Sequence, residues 1–469
     1  MLSKAFLTMP VRMRILLGFG LLFVVCLKIF PSTNDTLVDI HSSTIELLGL
    51  SSPSHVKHAC LDSIELQREL LLSSYKQSFE NVTHIALVDY PDHNNAGDAA
   101  IALGELLLLE TLGIEIRYIC TFGDFNITEM DASLSDVPRH NTAVALHGGG
   151  NMGNIWVDSQ LFRVELIPQT LDRKLRSFPQ TYEFFEPTES MPNQLLADSQ
   201  AVYSRHLDLE LVGRDTQSYK QIIANFPGHT VKLLPDIAVM IGSLPFSATT
   251  PRQMRFANSS DTPKALSPDY GWPPLALKPQ APMKDAVVLA RNDNEGGQDH
   301  QGIDWRMSLH PFEVDLIDWS DDFEGLILDP KRGYSDNHDG TFLRYWTDVA
   351  RIRVEKAMDV LLSGTYVITD RLHAHIMSTL LGIGHVVVDE GDIKKIQRVH
   401  DTWYSACGLP FDMVASSRFR MTDRSSDANG VLVSDTKAVF TSAMSLLAAG
   451  SENRKTSYSR VVEQGELYN

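Results

Sequence analysis

From Thr83 onward the chain repeats one rhythm: a short run of β-branched and apolar residues, a polar break, then a longer run with apolar residues three and four apart. Short apolar runs of this kind read as strands, and the 3.6-residue spacing reads as helix. THIALVDY (83–90) predicts a strand and AGDAAIALGELLLLETLG (96–113) a helix. IEIRYIC (114–120) and NTAVALHGGG (141–150) predict two more strands. LELVGR (209–214) and DTQSYKQIIANF (215–226) predict a strand and a helix, and TVKLLPDIAVM (230–240) begins as a strand. The rhythm stops over 245–282, where eight prolines stand without periodicity. It resumes at DAVVLAR (285–291) and runs through the helical RYWTDVARIRVEKAMDVLLSG (344–364) into GTYVITDRLHAHIMSTLLGIGHVVVDEGDIKK (364–395). Strands alternating with helices specify parallel α/β sheets. The expected fold is α/β, two Rossmann-like lobes with a cleft between them. The N-terminal lobe is placed at 81–244, a Pro-rich linker or insertion at 245–285, the C-terminal lobe at 286–450 and a loose tail at 451–469.

The first 30 residues follow another pattern. Residues 1–14 are basic with no acidic side chain, and 15–27 are continuously apolar. Lys28 can extend this short span by snorkelling. The basic flank predicts a cytoplasmic N-terminus and a retained signal anchor over 1–30. A cleaved signal peptide is the rival reading, but no small-x-small site follows. Residues 31–80 are polar apart from DSIELQRELLLSSY (62–75), which predicts a stem ending in a helix. Four N-x-S/T triplets, at Asn34, Asn81, Asn126 and Asn258, are compatible with a lumenal body.

Composition narrows the options. At 469 residues, with 43% hydrophobic and 21% charged, the chain is globular and long enough for more than one domain. A net charge of −18 argues against a nucleic-acid partner, because phosphate would be repelled. Cys26, Cys60, Cys120 and Cys407 form no CxxC pair and no zinc spacing, so no metal site is expected; one disulfide among the last three stays open.

In a parallel sheet the loops after the strands share one edge, and ligands bind there. Gly97 and Asp98 follow the first strand: the glycine allows close approach, and Asp98 can cap a helix. Gly149, Gly150 and Asn151 follow the third, in GGGNMGNIW, a loop whose amides can approach a ligand. Arg214 and Asp215 end another strand, with Asp215 an N-cap candidate, and Arg291 ends the first strand of the second lobe. Arg371 and His373 stand where a strand hands over to a helix. That position attracts anions, an Arg adds fixed charge, and a His adds a proton donor. Leu372, Ile376 and Leu380 supply the packing stripe of that helix, leaving His373 to face the cleft and His375 to face elsewhere.

The segments NNAGDAAIALGELLLLETLG, HGGGNMGNIW, FPQTYEF, VGRDTQSY, LPDIAVM, TDRLHAHIMSTLLGIGHVVVD and KKI…TW occur in this order. In this the chain resembles the polysaccharide pyruvyl transferases, over roughly 82–445, and its N-terminal anchor is similar to that of Golgi-type eukaryotic members. The resemblance implies a GT-B-like pair of lobes and a type II protein of the Golgi membrane with a lumenal body. It implies transfer of pyruvate from phosphoenolpyruvate onto two hydroxyls of a glycan sugar, a galactoside, as a ketal. It also implies that Arg214, Arg371, Leu372 and His373 serve the donor, with Lys395 or its neighbour Lys394. His373 is then the general acid toward C3 of the donor, since an unperturbed histidine titrates near ~6.5. Arg214, Arg371 and Lys395 steady the carboxylate and the departing phosphate, and Asp98 orients or deprotonates an acceptor hydroxyl. No metal or cofactor is called for; phosphoenolpyruvate is the donor substrate. The chain departs from the family pattern in its longer linker and at Met152 and Asn154. A GT-B-type nucleotide-sugar glycosyltransferase and a non-catalytic glycan-binding protein are the alternative readings.

Overall fold

The structure is a computed structural model that describes residues 53–185, 194–244, 246–247, 275–277, 284–291, 313–317, 319, 341–383, 385–389, 393–405 and 413–415. The apolar segment 15–27, most of the Pro-rich stretch, the tail, Asn34 and Asn258 lie outside the described residues. Among the described residues no helix is long and apolar enough to cross a membrane.

Two parallel sheets carry the fold, as the alternating pattern predicts. The first contains β1 (His84–Val88), β2 (Glu115–Ile119), β3 (Thr142–Leu146), β4 (Gly149–Gly153), β5 (Lys174–Ser177), β6 (Gln180–Glu183), β7 (Leu209–Gly213) and β8 (Thr230–Leu233). Its order is β2-β1-β3-β5-β7-β6-β4, with β8 added on β7. β3 pairs with β5 and β4 pairs with β6. Each of these two neighbouring strands therefore bends once, at His147–Gly148 and at Phe178–Pro179, and the bends sit at one level: Phe178 N donates to Leu146 O and Gly149 N to Pro179 O, both at 2.9 Å. Positive φ values at Gly149 (108°) and Gly153 (125°) open this second segment in a way other residues resist. β4, β5 and β6 have no clear period-2 signal, since they are short and one bend holds a proline.

The second sheet has the order β12-β11-β13-β14-β15, from β11 (Lys284–Leu289), β12 (Val314–Ile317), β13 (Gly364–Thr369), β14 (His385–Asp389) and β15 (Met413–Ala415). Within the Pro-rich stretch β9 (Phe246–Ser247) pairs with β10 (Leu275–Ala276). Ala276 N donates to Glu355 on the long helix ahead of β13, so this piece of the linker is fastened down.

α1 (Pro53–Ser78) is the helix expected to end the stem, and from Ser63 onward it is part of the body. Ile64, Leu71 and Tyr75 are buried at helical spacing, Tyr75 OH donates to Ser177 O at 2.9 Å and Ser63 Oγ to Trp403 O at 3.1 Å. α2 (Ala96–Thr111) is buried on nearly every side, because one face meets the 3-10 helix Ile237–Ser243 and another meets α7 (Thr341–Leu362). Helices apolar all round belong in such interiors. Between α2 and α7 in the chain lie α3 (Ile127–Ser133), α4 (Val157–Leu166), α5 (Gln194–Tyr203) and α6 (Thr216–Asn225), and α8 (Leu372–Leu381) and α9 (Lys395–Trp403) follow. One apolar cluster runs from Ile85 and Leu103 through Leu289 and Ala357 to Ile376, so both sheets share a core. Cys120 is a free, buried thiol, which removes it from any disulfide.

Candidate active site

The strand-end loops of both sheets meet at the start of α8. Thr369 closes β13: its hydroxyl donates to Leu289 O (2.9 Å) and accepts from Arg371 N (3.0 Å). That turn makes Arg371 the N-cap residue of α8, with no side-chain capping bond of its own. At the other end Gly382, at φ 66°, lets Ile383 N reach back to Ser378 O (2.8 Å), the glycine C-cap that ends a helix cleanly. Every residue from Leu372 to Thr379 is buried.

His373 faces the first sheet. Its Nε2 lies 3.4 Å from Asp236 Oδ2, an ion-pair separation rather than a tight hydrogen bond. Its ring also lies against Gly97, where a Cβ would fall 2.9 Å from His373 Cγ and closer still to Nδ1. α2 starts there because Asn95 accepts from Gly97 N (2.9 Å) through Oδ1 and donates to Asp98 Oδ2 (2.8 Å) through Nδ2. Asn95, not Asp98, is therefore the cap, and Asp98 is released toward the site, with His93 Nε2 at 3.5 Å.

Asp236 caps a short 3-10 helix, Ile237–Ser243, by accepting from Ala238 N at 3.0 Å. Its other oxygen takes Arg214 Nη1 at 2.8 Å. Arg214 Nε donates to Thr181 Oγ1 at 2.7 Å, and Arg214 O accepts from Trp403 Nε1 at 2.7 Å. Arg214 and Asp236 are each only 2% exposed. Burial alone would raise the pKa of Asp236, but His373, Arg214 and the Ala238 amide together hold it well below the usual carboxylate range. Asp98 is lowered in the same sense: burial works upward, and His93, His373, His147 and Arg214 outweigh it.

The glycine segment closes the site. A Cβ on Gly150 would stand 2.9 Å from Lys395 Nζ and 4.0 Å from Arg214 Nη2, so both cations converge on this bare stretch of backbone. A Cβ on Gly149 would stand 3.6 Å from Asp98 Oδ1. Lys395 opens α9, a helix tied to β6 by Arg398–Glu183 (2.8 Å) and to the start of α6 by Thr216 N to Thr402 Oγ1 (3.1 Å). The arrangement gathers two fixed cations, Arg214 and Lys395, two carboxylates, Asp98 and Asp236, and the imidazole of His373. It suits an anion that must be held while protons move.

Comparison with known proteins decides the family. Residues 95–392 match polysaccharide pyruvyl transferase. The chain is 34% identical over 357 residues to Pyruvyl transferase 1 of Schizosaccharomyces pombe, covering 75% of this chain and 77% of that protein. The chain belongs to the polysaccharide pyruvyl transferase family. EpsO, a candidate pyruvyl transferase of Bacillus subtilis, is 23% identical over 335 residues, with 70% of this chain and 87% of that protein covered.

The transferase brings together Asp98, Gly149, Gly150, Arg214, His373 and Lys395 through the contacts above, with Arg371 buried at the cap beside His373. Leu372 is different from the expectation of a contact residue: its side chain is core, so only its first-turn amide is available to a ligand. Arg291 stands at the next strand end, its amide held by both Asp370 oxygens at 2.9 and 3.1 Å. Lys394, at φ 53°, donates to Asp389 O at 2.7 Å and shapes the turn before α9. Asn151 lies in β4, and its side chain is outside the described residues. Asp215 caps α6 through Ser218 N (2.8 Å), as expected. His375 points away from the site, with Nδ1 2.8 Å from His385 Nε2. Asn154 bonds Phe185 N and Phe185 O at once (2.7 and 3.2 Å), a pairing that an aspartate could not make. Asp236, Thr181 and Trp403 were not anticipated as site residues. Their signals were weak ones: an aspartate in the apolar LPDIAVM, and a tryptophan at the end of an amphipathic helix.

Proposed function

We propose that this transferase moves a pyruvyl group from phosphoenolpyruvate onto two hydroxyls of one sugar, a galactoside within a glycan. The observation that carries this reading is the convergence of Arg214 and Lys395 on Gly150, beside His373 and Asp236. A donor with a phosphate and a carboxylate needs fixed cations. Arg suits bidentate oxyanion contact, and the bare glycine backbone lets the anion approach.

The chemistry balances with the residues present. In the first step C3 of the enol takes a proton from His373, an acceptor oxygen bonds to C2, and that hydroxyl's proton passes to Asp98. In the second step the neighbouring hydroxyl oxygen bonds to C2, the bond from C2 to the phosphate oxygen breaks, and the hydroxyl's proton leaves with phosphate. Arg214, Arg371 and Lys395 hold the phosphate and carboxylate as charge shifts onto the leaving group. Asp236 steadies Arg214 and the protonated imidazole. We take the two sheets as GT-B-like lobes and the body as lumenal, on a single-pass type II anchor in the Golgi membrane. Protease protection in sealed microsomes tests the placement, and digestion of the body from outside would exclude it.

The test of function is incubation with phosphoenolpyruvate and a panel of galactosides and other hexosides. Phosphate release matched by a pyruvyl mass gain on the sugar is expected. Consumption of a nucleotide sugar, with no phosphate released from phosphoenolpyruvate, would instead establish a glycosyltransferase.

A further inference from the structure

A second acid–base pair lies directly beneath the glycine segment. α2 presents Asp98, Ile101 and Glu105 at spacings of three and four, so all three share one face toward the bend between β3 and β4. Glu105 is wholly buried, as is His147 at 1% exposure. Glu105 Oε1 accepts from Gly148 N at 2.7 Å, and Oε2 faces His147 Nδ1 at 2.9 Å. The backbone carbonyl of His147 is held by Gln180 Nε2 and by Arg163 Nη2 (3.4 Å). The imidazole is thus fixed at its backbone and at Nδ1. Its Nε2 is buried and has no hydrogen-bond partner among the described residues. A buried group left in this state asks for a functional reason.

We propose that Glu105 and His147 form a positioning pair beneath the glycine segment that keeps Asp98 as the base for the acceptor hydroxyl. This rests on the pyruvyl-transfer reading above. With Glu105 ionised, Nδ1–H donates to it and the ring can hold a second proton on Nε2. Cationic His147 then favours carboxylate Asp98 from below, while Glu105 balances the buried charge. Other groups face the same centre. His93, His373 and Arg214 act on Asp98. Asp89 and Asp98 act on His147, with Tyr90's ring 6.3 Å away. Burial, with Asp236, raises Glu105 above the ordinary carboxylate value against the opposing pull of His147 and the Gly148 amide, and Glu105 in turn acts on Tyr75 and Tyr90. Arg163 pairs with Asp89 at 3.1 Å. Burial opposes charge on His147, but Glu105, with Asp89 and Asp98, raises it above the ordinary histidine value.

The test uses Glu105→Gln and His147→Gln in the full chain, each checked by thermal melting. Gln at 105 still accepts from Gly148 N but no longer charges the imidazole, and Gln at 147 removes the cation itself. Three readouts are taken: phosphoenolpyruvate binding by calorimetry, the pH profile of kcat/KM for phosphate release with a galactoside acceptor, and the histidine ring signals of isotope-labelled protein. Expected are donor affinity within about 3-fold of the parent, and an acid limb moved up by roughly half to one pH unit, the scale of one neighbouring charge. A ring signal that titrates above the ordinary histidine value in the parent and is lost in His147→Gln is also expected. A merely structural pair would lower the melting temperature and leave the limb in place. Parent turnover with an unmoved limb in both folded variants, or a neutral His147 in the parent, overturns the pair's role alone. Failure of the parent to release phosphate overturns the pyruvyl-transfer reading, and the assignment of Asp98 as base goes with it.

Discussion

Gly97→Ala is the sharpest test of the site, because it separates the helix's interest from the imidazole's. Gly97 lies in the first turn of α2, at a backbone conformation that alanine accepts. Helix propensity alone would favour the change by about 1 kcal/mol. The new methyl, however, falls 2.9 Å from His373 Cγ and closer to Nδ1. An ordinary carbon contact needs about 3.5 Å or more, so the ring must retreat by roughly 0.5–1 Å. It cannot do so freely, since α8 is buried from Leu372 to Thr379 and Asp236 sits 3.4 Å from Nε2. Overpacking of this kind costs about 1–3 kcal/mol. Set against the propensity gain, the net loss of stability is on the order of 0–2 kcal/mol. The catalytic effect is larger, because a misplacement of ~1 Å can reduce a rate about 10²-fold. Initial rates of phosphate release, beside melting curves and donor titrations, measure the three quantities separately. A drop of roughly 10–100-fold in kcat with near-normal melting is expected. Parent-like kcat in a folded Gly97→Ala protein would refute the placement of His373 at the reacting carbon.

Arg371→Met should weaken phosphoenolpyruvate binding by roughly 10–100-fold, the scale of one lost charged hydrogen bond, with Arg371→Lys restoring only part; calorimetry on folded protein decides. Asp236→Asn keeps the Ala238 cap but leaves Arg214 buried without its counter-charge, so a stability loss on the order of 3 kcal/mol is expected. Added phosphoenolpyruvate should raise the melting temperature of this variant more than that of the parent, and equal shifts would count against an anion beside Arg214. His375→Gln should lower stability by about 1–3 kcal/mol through its lost bond to His385, and spare turnover in the folded fraction; His375 is therefore no silent control for His373. Burial, opposed by the Ile383 carbonyl, depresses His385 to about 4 against the ordinary 6.5. The unfolded chain binds the extra proton between these values, so stability falls as pH drops from 6.5 toward 4, by on the order of 3 kcal/mol from this residue. Denaturant midpoints across that range should slope less steeply in His385→Gln.

Periodicity made the strands and helices on either side of the Pro-rich stretch legible, and the strand-end rule pointed to 97–98, 149–150, 214 and 371–373, positions that the fold brings to one place. Local signals failed where the interaction is not local. Asp98 has the chemistry of a cap, and only the neighbouring Asn95, three residues earlier, shows why it is not needed as one. DSIELQRELLLSSY has a helical stripe, but nothing in it reveals that Tyr75 reaches Ser177 or that Ser63 reaches Trp403. The bend pairing His147–Gly148 with Phe178–Pro179 likewise needs two strands that are far apart in the chain. Asp236 was hidden for the same reason, since its partners come from the turn after β7 and from α8.

Those partners bear on why the cluster exists at all. Arg214 and Asp236 are almost sealed from water, and a buried ion pair rarely outperforms apolar residues of similar volume as a source of stability. The surroundings would allow such a replacement: Ile237 and Ala238, next to Asp236 in the chain, and Leu372, next to His373, belong to the apolar core. Packing therefore gives no reason for a guanidinium here. The geometry gives one. Arg214 is gripped by Thr181 at Nε and Asp236 at Nη1, while Nη2 is turned toward Gly150 and the ammonium of Lys395. An anion over Gly150 would lie within reach of both groups. A guanidinium held at Nε and Nη1, with Nη2 left facing bare backbone, is costly for folding and well suited to binding. This region should accordingly gain more from phosphoenolpyruvate than any other. Hydrogen exchange in the amides of β4 and of the first turns of α8 and α9 should slow on donor addition more than elsewhere in the two sheets. Slowing confined to other elements would place the anion site away from Gly150.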